Sequence, residues 1–187
     1  MKTVAVYCGS STGVDPIYMQ EAKRLGEVLV ENGLDLVYGG ATVGCMGAVA
    51  DAVMEAGGKV IGVIPEKLRN VEIAHHELTE LHVTKDMHER KSLMAEYADG
   101  FIAMPGGAGT LEEWFEVFTW AQLGYHLKPC ALLNINDYYS PLLALLDHMI
   151  EQGFMKPAYK DLIVFEHDPV LLINQLKDYK GDYIHKW

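Results

Sequence analysis

The fold class follows from a pattern that begins with the residues Val4-Ala5-Val6-Tyr7-Cys8 and continues with Gly9-Ser10-Ser11-Thr12-Gly13. A short apolar run rich in β-branched residues that stops at glycine is typical of a buried strand. Asp15-Pro16 then predicts the start of a helix, because Asp caps a helix and Pro is tolerated at its first position. We expect that helix to end at Asn32-Gly33.

The same alternation of strand and helix repeats along the chain. Further strands are predicted at 34–38, 60–64, 81–83, 101–104, 130–133 and 162–165, and further helices at 46–56, 86–97, 111–123, 140–153 and from 168 onward. Residues 66–80 carry the weakest pattern and are predicted to form a surface loop. Such alternation requires a parallel sheet with helices on both faces. We therefore predict an α/β fold, a single doubly wound, Rossmann-like domain over residues 1–187.

The charge of the chain limits its partners. Its 187 residues include 15 Lys and Arg against 26 Asp and Glu, a formal net charge of −11. This argues against a nucleic-acid polymer or an anionic membrane surface, because both require clustered cations. A small anion remains a suitable ligand, since a few backbone amides and one or two arginines bind a phosphate locally.

Three further features bear on compartment and metal binding. The first residues lead directly into a strand, without the basic and apolar segments of a signal peptide, so we expect a cytoplasmic protein. Cys8, Cys45 and Cys130 are scattered and form no CxxC pair, which argues against a disulfide framework or a zinc site. His75-His76 are expected to be surface histidines, since adjacent side chains rarely point at one ion. No metal site is predicted.

Three of the predicted strands end in glycine-rich or small-residue loops, after Cys8, Tyr38 and Met104. In a doubly wound sheet these loops share the carboxyl edge, where glycines let backbone amides approach a phosphate. No GxxxxGK[ST] motif occurs, which excludes a P-loop NTPase. The loop at 39–44 departs from GxGxxG and lacks a ribose-binding acid about twenty residues on, so a dinucleotide dehydrogenase fits poorly.

Two clusters of charged residues have two interpretations each. Thr110-Leu111-Glu112-Glu113 matches a capping box, which alone would explain Glu113. Alternatively, this carboxylate faces the sugar of a bound nucleotide, where positive charge develops during bond cleavage. Arg90 and Lys91 lie near a predicted helix N-terminus, where cations oppose the helix dipole, and so indicate a nearby anion. The neighbouring His88 and Glu89 fit a solvated turn.

These residues also resemble a known family. Residues 105–113, PGGAGTLEE, are similar to the PGGxGTxxE signature of the Lonely Guy (LOG) cytokinin riboside 5′-monophosphate phosphoribohydrolases, and Met87–Lys91 resembles their MHxRK element. The likeness covers nearly the whole chain. It implies hydrolysis of the N-glycosidic bond of AMP or an N6-modified AMP, without a cofactor, giving the free base and ribose 5-phosphate. An older family label, "possible lysine decarboxylase", is not expected to apply, because pyridoxal chemistry needs a Schiff-base lysine set in a cofactor pocket.

The resemblance implies specific site residues. It makes Arg90 and Glu113 the catalytic pair. The substrate-binding residues that it implies are Lys91, Gly106, Gly107, Ala108, Gly109, Thr110, Leu111, Glu112, Thr119, Gly9, Ser10, Gly39, Gly40, Gly44, Met87 and Glu72. Of these, Met87 is expected to contact the nucleobase. Glu113 would stabilise positive charge at C1′ and orient or deprotonate water, whereas Arg90 stays protonated and holds the phosphate, the sugar or the departing base.

Assembly and function each leave an alternative open. The predicted helix 111–123 is apolar around much of its circumference, which fits either a buried central helix or a self-association face. The resemblance favours a homodimer whose second copy helps to close the site. A non-catalytic carrier of a nucleotide or a phosphorylated cofactor such as a pterin is the alternative function. Only the enzyme requires a carboxylate and Arg90 beside C1′.

Overall fold

Strands and helices alternate in the computed structural model of the protein, which describes residues 1–69, 74–75 and 77–181. The strands are β1 (Thr3–Tyr7), β2 (Asp35–Tyr38), β3 (Val60–Pro65), β4 (Glu80–Thr84), β5 (Gly100–Ala103), β6 (Cys130–Leu133) and β7 (Ile163–Glu166). The helices are α1 (Ile17–Glu31), α2 (Gly44–Glu55), α3 (Glu66–Arg69), α4 (Met87–Tyr97), α5 (Ala108–Gln122), α6 (Ser140–Glu151) and α7 (Pro169–Asp178). The strands pair in parallel in the order β4-β3-β2-β1-β5-β6-β7.

Both faces of the sheet are covered by helices. Successive side chains of a strand point to opposite faces, and in β1 Val4 and Val6 join a core formed with α1, α2 and α7. Ala5 and Tyr7 join a second core formed with α4, α5 and α6. This arrangement confirms the predicted doubly wound α/β fold.

The order of the strands reverses direction between β1 and β5, which are neighbours at the centre of the sheet. The loops that leave the carboxyl ends of these two strands lead to helices on opposite faces, and such a crevice is where ligands bind in open α/β sheets. A hydrogen bond from the Gly9 N–H to the Pro105 carbonyl, 3.1 Å long, joins the two loops. The sheet therefore brings residues about one hundred positions apart to one site.

The cap signals predicted two helix starts well and one wrongly. Asp168 Oδ1 accepts the backbone N–H groups of Val170 (2.8 Å) and Leu171 (3.1 Å), so it caps α7 as predicted. Asp15 Oδ1 accepts the N–H of Ile17 at 2.9 Å, although α1 begins one residue later than expected. The capping box at 110–113 is wrong, because α5 begins at Ala108 and its N-cap, Gly107, makes no side-chain cap. Glu113 lies in the second turn of α5.

Residues 66–80 are not simply a surface loop. They include the short helix α3, and His75 is 7% exposed, which overturns its assignment as a surface histidine; His76 lies outside the described residues. His75 Nδ1 accepts the N–H of Glu77 at 3.2 Å, so Nε2 carries the proton and donates to Asp51 Oδ1 at 2.9 Å. The His75 N–H donates to the Gly40 carbonyl at 3.0 Å. These bonds satisfy the ring inside the protein.

Membrane-spanning helices and clusters of metal-binding side chains are both absent from the described residues. No helix among them is long and apolar enough to cross a membrane. No group of three or more His, Cys, Asp or Glu side chains within them has the arrangement of a metal site.

Candidate active site

A cavity of about 270 Å³ opens at the point where the strand order reverses. It is lined by Cys8, Gly9, Ser10, Met46, Leu68, Met87, Arg90, Gly107, Gly109, Thr110, Glu112 and Glu113. Nine of these residues were predicted from the sequence, and they come from loops and helices that follow β1, β4 and β5. Cys8, Met46 and Leu68 were missed. Cys8 directly precedes the predicted Gly9, but Met46 and Leu68 carry no local signal of a site.

Arg90 lies at the centre of the polar part of this cavity. It belongs to the first turns of α4, it is 6% exposed, and its Nε donates to the Val63 carbonyl at 3.1 Å. Its Nη2 donates to the Gly39 carbonyl at 3.5 Å. An ideal Cβ at Gly39 would lie 2.3 Å from this Nη2. The backbone of Gly39 therefore packs against the Arg90 guanidinium, because only glycine leaves room for this group at that place.

Glu113 pairs with Arg90 in the lining of the cavity. Its Oε1 lies 3.7 Å from Arg90 Nη1, and the two side chains are 13% and 7% exposed. The distance is longer than a hydrogen bond but short enough for strong attraction between charges with little water around them. Arg90 thus offsets the cost of holding the Glu113 carboxylate inside the protein.

Two neighbours of Glu113 stay neutral. Burial, followed by the charge on Glu113, raises the pKa of the Tyr7 hydroxyl well above its usual value. Burial, followed by Cys45 and Glu113, likewise raises the pKa of the Cys8 thiol. Cys8 is therefore a thiol and not a thiolate, so it does not have the properties of a nucleophile. Beside them lies the Arg90–Glu113 pair.

The N-terminus of α5 also lines the cavity. Gly107, Gly109 and Thr110 lie there, and the N-cap residue, Gly107, has no side chain that could cap the first N–H groups. Uncapped N–H groups and the positive end of the helix dipole favour an anion. A Cβ at Gly106 would lie 2.2 Å from Thr110 Oγ1. The glycine at that position therefore lets the loop close onto the first turn of α5.

Lys91 does not line this cavity. Its Nζ pairs with Glu112 Oε1 at 2.6 Å and with Glu116 Oε1 at 3.1 Å, which links α4 to α5. Burial lowers the pKa of Lys91, but the hydrogen bonds that Lys91 donates to the two glutamates, together with their charges, outweigh burial and raise it. The position of Lys91 near a helix N-terminus predicted a nearby anion, and these two carboxylates are such anions. Its contact with a substrate stays a prediction.

The remaining predicted residues lie at various distances from the cavity. Gly44 has φ +58°, and its Cα lies against the Ser10 backbone, so it supports the loop after β1. Gly40 accepts the His75 N–H described above. Thr119 is exposed two turns further along α5, and its contact with a ligand stays a prediction, as do those of Ala108 and Leu111. Glu72 lies outside the described residues.

A second cavity of about 280 Å³ adjoins the first and shares Gly9, Ser10 and Gly107 with it. The rings of Tyr18 and Tyr138 also line it; they meet edge to face with their centroids 6.0 Å apart. No sequence signal pointed to either tyrosine.

Known proteins resemble this chain over most of its length. A family model described as "Possible lysine decarboxylase" matches residues 46–176. A cytokinin riboside 5′-monophosphate phosphoribohydrolase from Rhodococcoides fascians is 52% identical over 87% of this chain and 83% of its own length. The chain belongs to the LOG family. A LOG-family relative of the same name from Arabidopsis thaliana is 47% identical over 97% of this chain and 84% of its own. These relatives are named as hydrolases and not as decarboxylases.

Solved structures resemble the fold of this LOG-family protein. A molybdenum cofactor binding protein from Rippkaea orientalis superposes with a TM-score of 0.72 and 22% identity, covering 95% of this chain and 96% of the other. The Moco carrier protein of Chlamydomonas reinhardtii has a TM-score of 0.71, 21% identity and the same coverage. At this level of identity the likeness establishes the fold alone.

Proposed function

We propose that this LOG-family protein hydrolyses the N-glycosidic bond of a cytokinin riboside 5′-monophosphate or of AMP, releasing the free base and ribose 5-phosphate. The observation that carries the proposal is the buried Arg90–Glu113 pair, 3.7 Å apart, in a cavity that the N-terminus of α5 also lines. The names of relatives about half identical to this chain support the same reaction.

The phosphate binds at the N-terminus of α5. The amides at Gly107 and Gly109 and the loop at Gly9-Ser10 supply donors without adding net charge. Arg90 is the one cation among the described residues that line the cavity. Local donors therefore bind the anion, although the chain as a whole carries a charge of −11.

Glu113 acts at C1′ of the ribose. As the bond from C1′ to the base nitrogen breaks, its electron pair leaves with the base and positive charge develops on the sugar. The Glu113 carboxylate stabilises that charge and accepts a proton from the water whose oxygen bonds to C1′. The base gains a proton, so one water is consumed. Arg90 stays charged throughout and holds Glu113 or the departing base in place.

The apolar part of the cavity receives the base. Met46, Leu68 and Met87 are among the lining residues, and their flexible or branched apolar side chains suit a flat ring with an apolar substituent. Met87 was expected at this position from the sequence.

The active unit is proposed to be one domain of residues 1–187 in a cytoplasmic homodimer. On α5, Trp114 and Phe118 are buried, whereas Phe115 and Trp120 are only partly covered and Leu123 is 38% exposed. A second copy would cover this apolar strip and lie near the exposed Thr119. Sedimentation of the purified protein is expected to give the mass of two chains.

Incubation with AMP and with isopentenyl-AMP tests the reaction. We expect free base and ribose 5-phosphate in equal amounts, measured by chromatography of the base and an enzymatic assay of the sugar phosphate. A carrier of the same fold would bind the nucleotide tightly and release nothing. Tight binding without release by the wild-type protein would therefore overturn the proposal in favour of the carrier.

A further inference from the structure

The turn between β6 and α6 has an unusual backbone. Asn136 (φ 50°, ψ 40°) and Asp137 (φ 58°) both adopt the left-handed conformation. Asn and Asp tolerate this conformation better than other side chains, but they adopt it mostly as single residues. Strain of this kind persists where the surroundings hold it in place, and it is concentrated near functional sites.

Asn134 holds the turn. Its side chain is fully buried, and its Oδ1 accepts the N–H of Tyr139 at 2.6 Å. Its Nδ2 donates to Ser140 Oγ at 3.2 Å and to Asp137 Oδ1 at 3.4 Å. The turn is thus fixed from inside the protein.

The fixed turn directs two tyrosine hydroxyls onto the loop that follows β5. Tyr139 is buried, and its hydroxyl donates to the Met104 carbonyl at 2.5 Å. The Tyr138 hydroxyl donates to the Gly106 carbonyl at 2.6 Å. Tyr138 is 42% exposed, and its ring meets those of Tyr18 and Tyr139 edge to face. The hydrogen bond to the loop fixes the place of its hydroxyl.

The bond to Gly106 also orients the next amide. The peptide between Gly106 and Gly107 is trans, so its C=O and N–H point in opposite directions. The carbonyl points to Tyr138, and the Gly107 N–H therefore points away from it. Gly107 lines both cavities, whereas Tyr138 lines only the second. The Gly107 N–H, which points away from Tyr138, can therefore donate to a phosphate bound at the N-terminus of α5.

We infer that Tyr138 is a positioning residue for binding of the 5′-phosphate, and that it acts by fixing the Gly106–Gly107 peptide so that the Gly107 N–H donates to the phosphate. The inference rests on the proposed function, because that function places the phosphate at α5. Tyr138 does not touch the reacting atoms, so its contribution is to ground-state binding and not to bond cleavage.

The variant Tyr138→Phe removes the hydroxyl and keeps the ring. We expect KM for the nucleoside monophosphate to rise about tenfold, the low end for a hydrogen bond to a charged group, with kcat unchanged. The inhibition constant of ribose 5-phosphate is expected to rise by about the same factor, and that of the free base to stay the same. Tyr125→Phe, a change at a tyrosine that is 76% exposed, is the matched control and should change none of these values.

A general loosening of the structure would give a different result. It would weaken the binding of ribose 5-phosphate and of the free base by the same factor. Either that outcome or unchanged binding of ribose 5-phosphate would overturn the proposed role of Tyr138. Calorimetric titration with ribose 5-phosphate gives the same comparison without turnover. If the wild-type protein released no base, the proposed reaction would fail, while the titration would still decide the role of Tyr138.

Discussion

Replacing Arg90 by Met tests whether Arg90 and Glu113 form an ion pair that is shielded from water in the folded protein. Met is unbranched and flexible, so it fills most of the space of the Arg stem without its charge. In the wild-type background this change leaves the Glu113 carboxylate, 13% exposed, without its cation. Breaking a buried pair in this way costs about 3–5 kcal/mol of the free energy of unfolding.

The distance sets the size of the coupling between the two side chains. At 3.7 Å, two unit charges attract by about 4.5 kcal/mol for an effective dielectric constant of about 20. Loss of hydration offsets part of this attraction. We therefore expect a coupling energy of about 2 kcal/mol between Arg90→Met and Glu113→Gln, so that Arg90→Met destabilises the Gln variant less than the wild type.

Urea unfolding of the wild type, both single variants and the double variant measures this energy. The pair Arg24–Asp168 is the matched control: its atoms are closer, at 2.6 Å, but the side chains are 42% and 34% exposed. Arg24→Met and Asp168→Asn are expected to couple by about 0.5 kcal/mol, as exposed pairs do. Equal coupling energies for the two pairs would refute the claim that Arg90 and Glu113 are held together out of water.

Three further predictions concern parts of the molecule around the site. Lys91→Met is expected to lower the free energy of unfolding by about 1 kcal/mol, because it removes two partly buried ion pairs; a raised KM for the nucleotide would in addition make Lys91 the substrate contact that the family resemblance implies, and an unchanged KM would contradict that contact. His75→Ala should cost about 1–3 kcal/mol in urea unfolding, because it removes a buried ring and the hydrogen bonds that the ring makes with Asp51 and Glu77, whereas the control His82→Ala, at a side chain that is 34% exposed, should cost about 0.5 kcal/mol or less. Burial raises the pKa of Asp99, but hydrogen bonds from two backbone N–H groups outweigh burial and lower it. The stability that Asp99 contributes is thus present above about pH 4 and lost as the pH falls through its lower folded-state pKa. Asp99→Asn should therefore lower the melting temperature at pH 7, and the difference from wild type should narrow towards pH 3; a difference that is constant with pH would contradict this.

Local patterns predicted the fold because each strand and most helix ends carry their own signals. Runs such as Val4–Tyr7 need burial on both faces, and Asp168-Pro169 caps α7 through contacts within three residues. The capping box at Thr110 failed although its pattern is complete. The extended Gly107 lets α5 begin earlier, and Glu113 turns towards Arg90, a residue on another helix.

The site could be predicted only where its residues lie in short motifs. Glycine-rich loops and the charged start of α4 are local, so Gly9, Arg90 and Glu113 were found. Tyr138 lies after β6 and reaches Gly106 only because β5 and β6 are neighbours in the sheet. His75 was misassigned because its partner, Asp51, is on α2, 24 residues away. Such contacts depend on tertiary structure and cannot be predicted from the spacing of residues in the sequence.

The need for the Glu113 carboxylate in bond cleavage is tested by comparing base release and nucleotide affinity in three proteins. Wild type, Glu113→Gln and the control Glu116→Gln are each supplied with isopentenyl-AMP, and both base release and nucleotide affinity are measured. Glu116 pairs with Lys91 and does not line the cavity, so its variant should keep turnover. We expect Glu113→Gln to bind the nucleotide as the wild type does and to release no base. Base release by Glu113→Gln at the wild-type rate would show that the Glu113 carboxylate is not needed for bond cleavage.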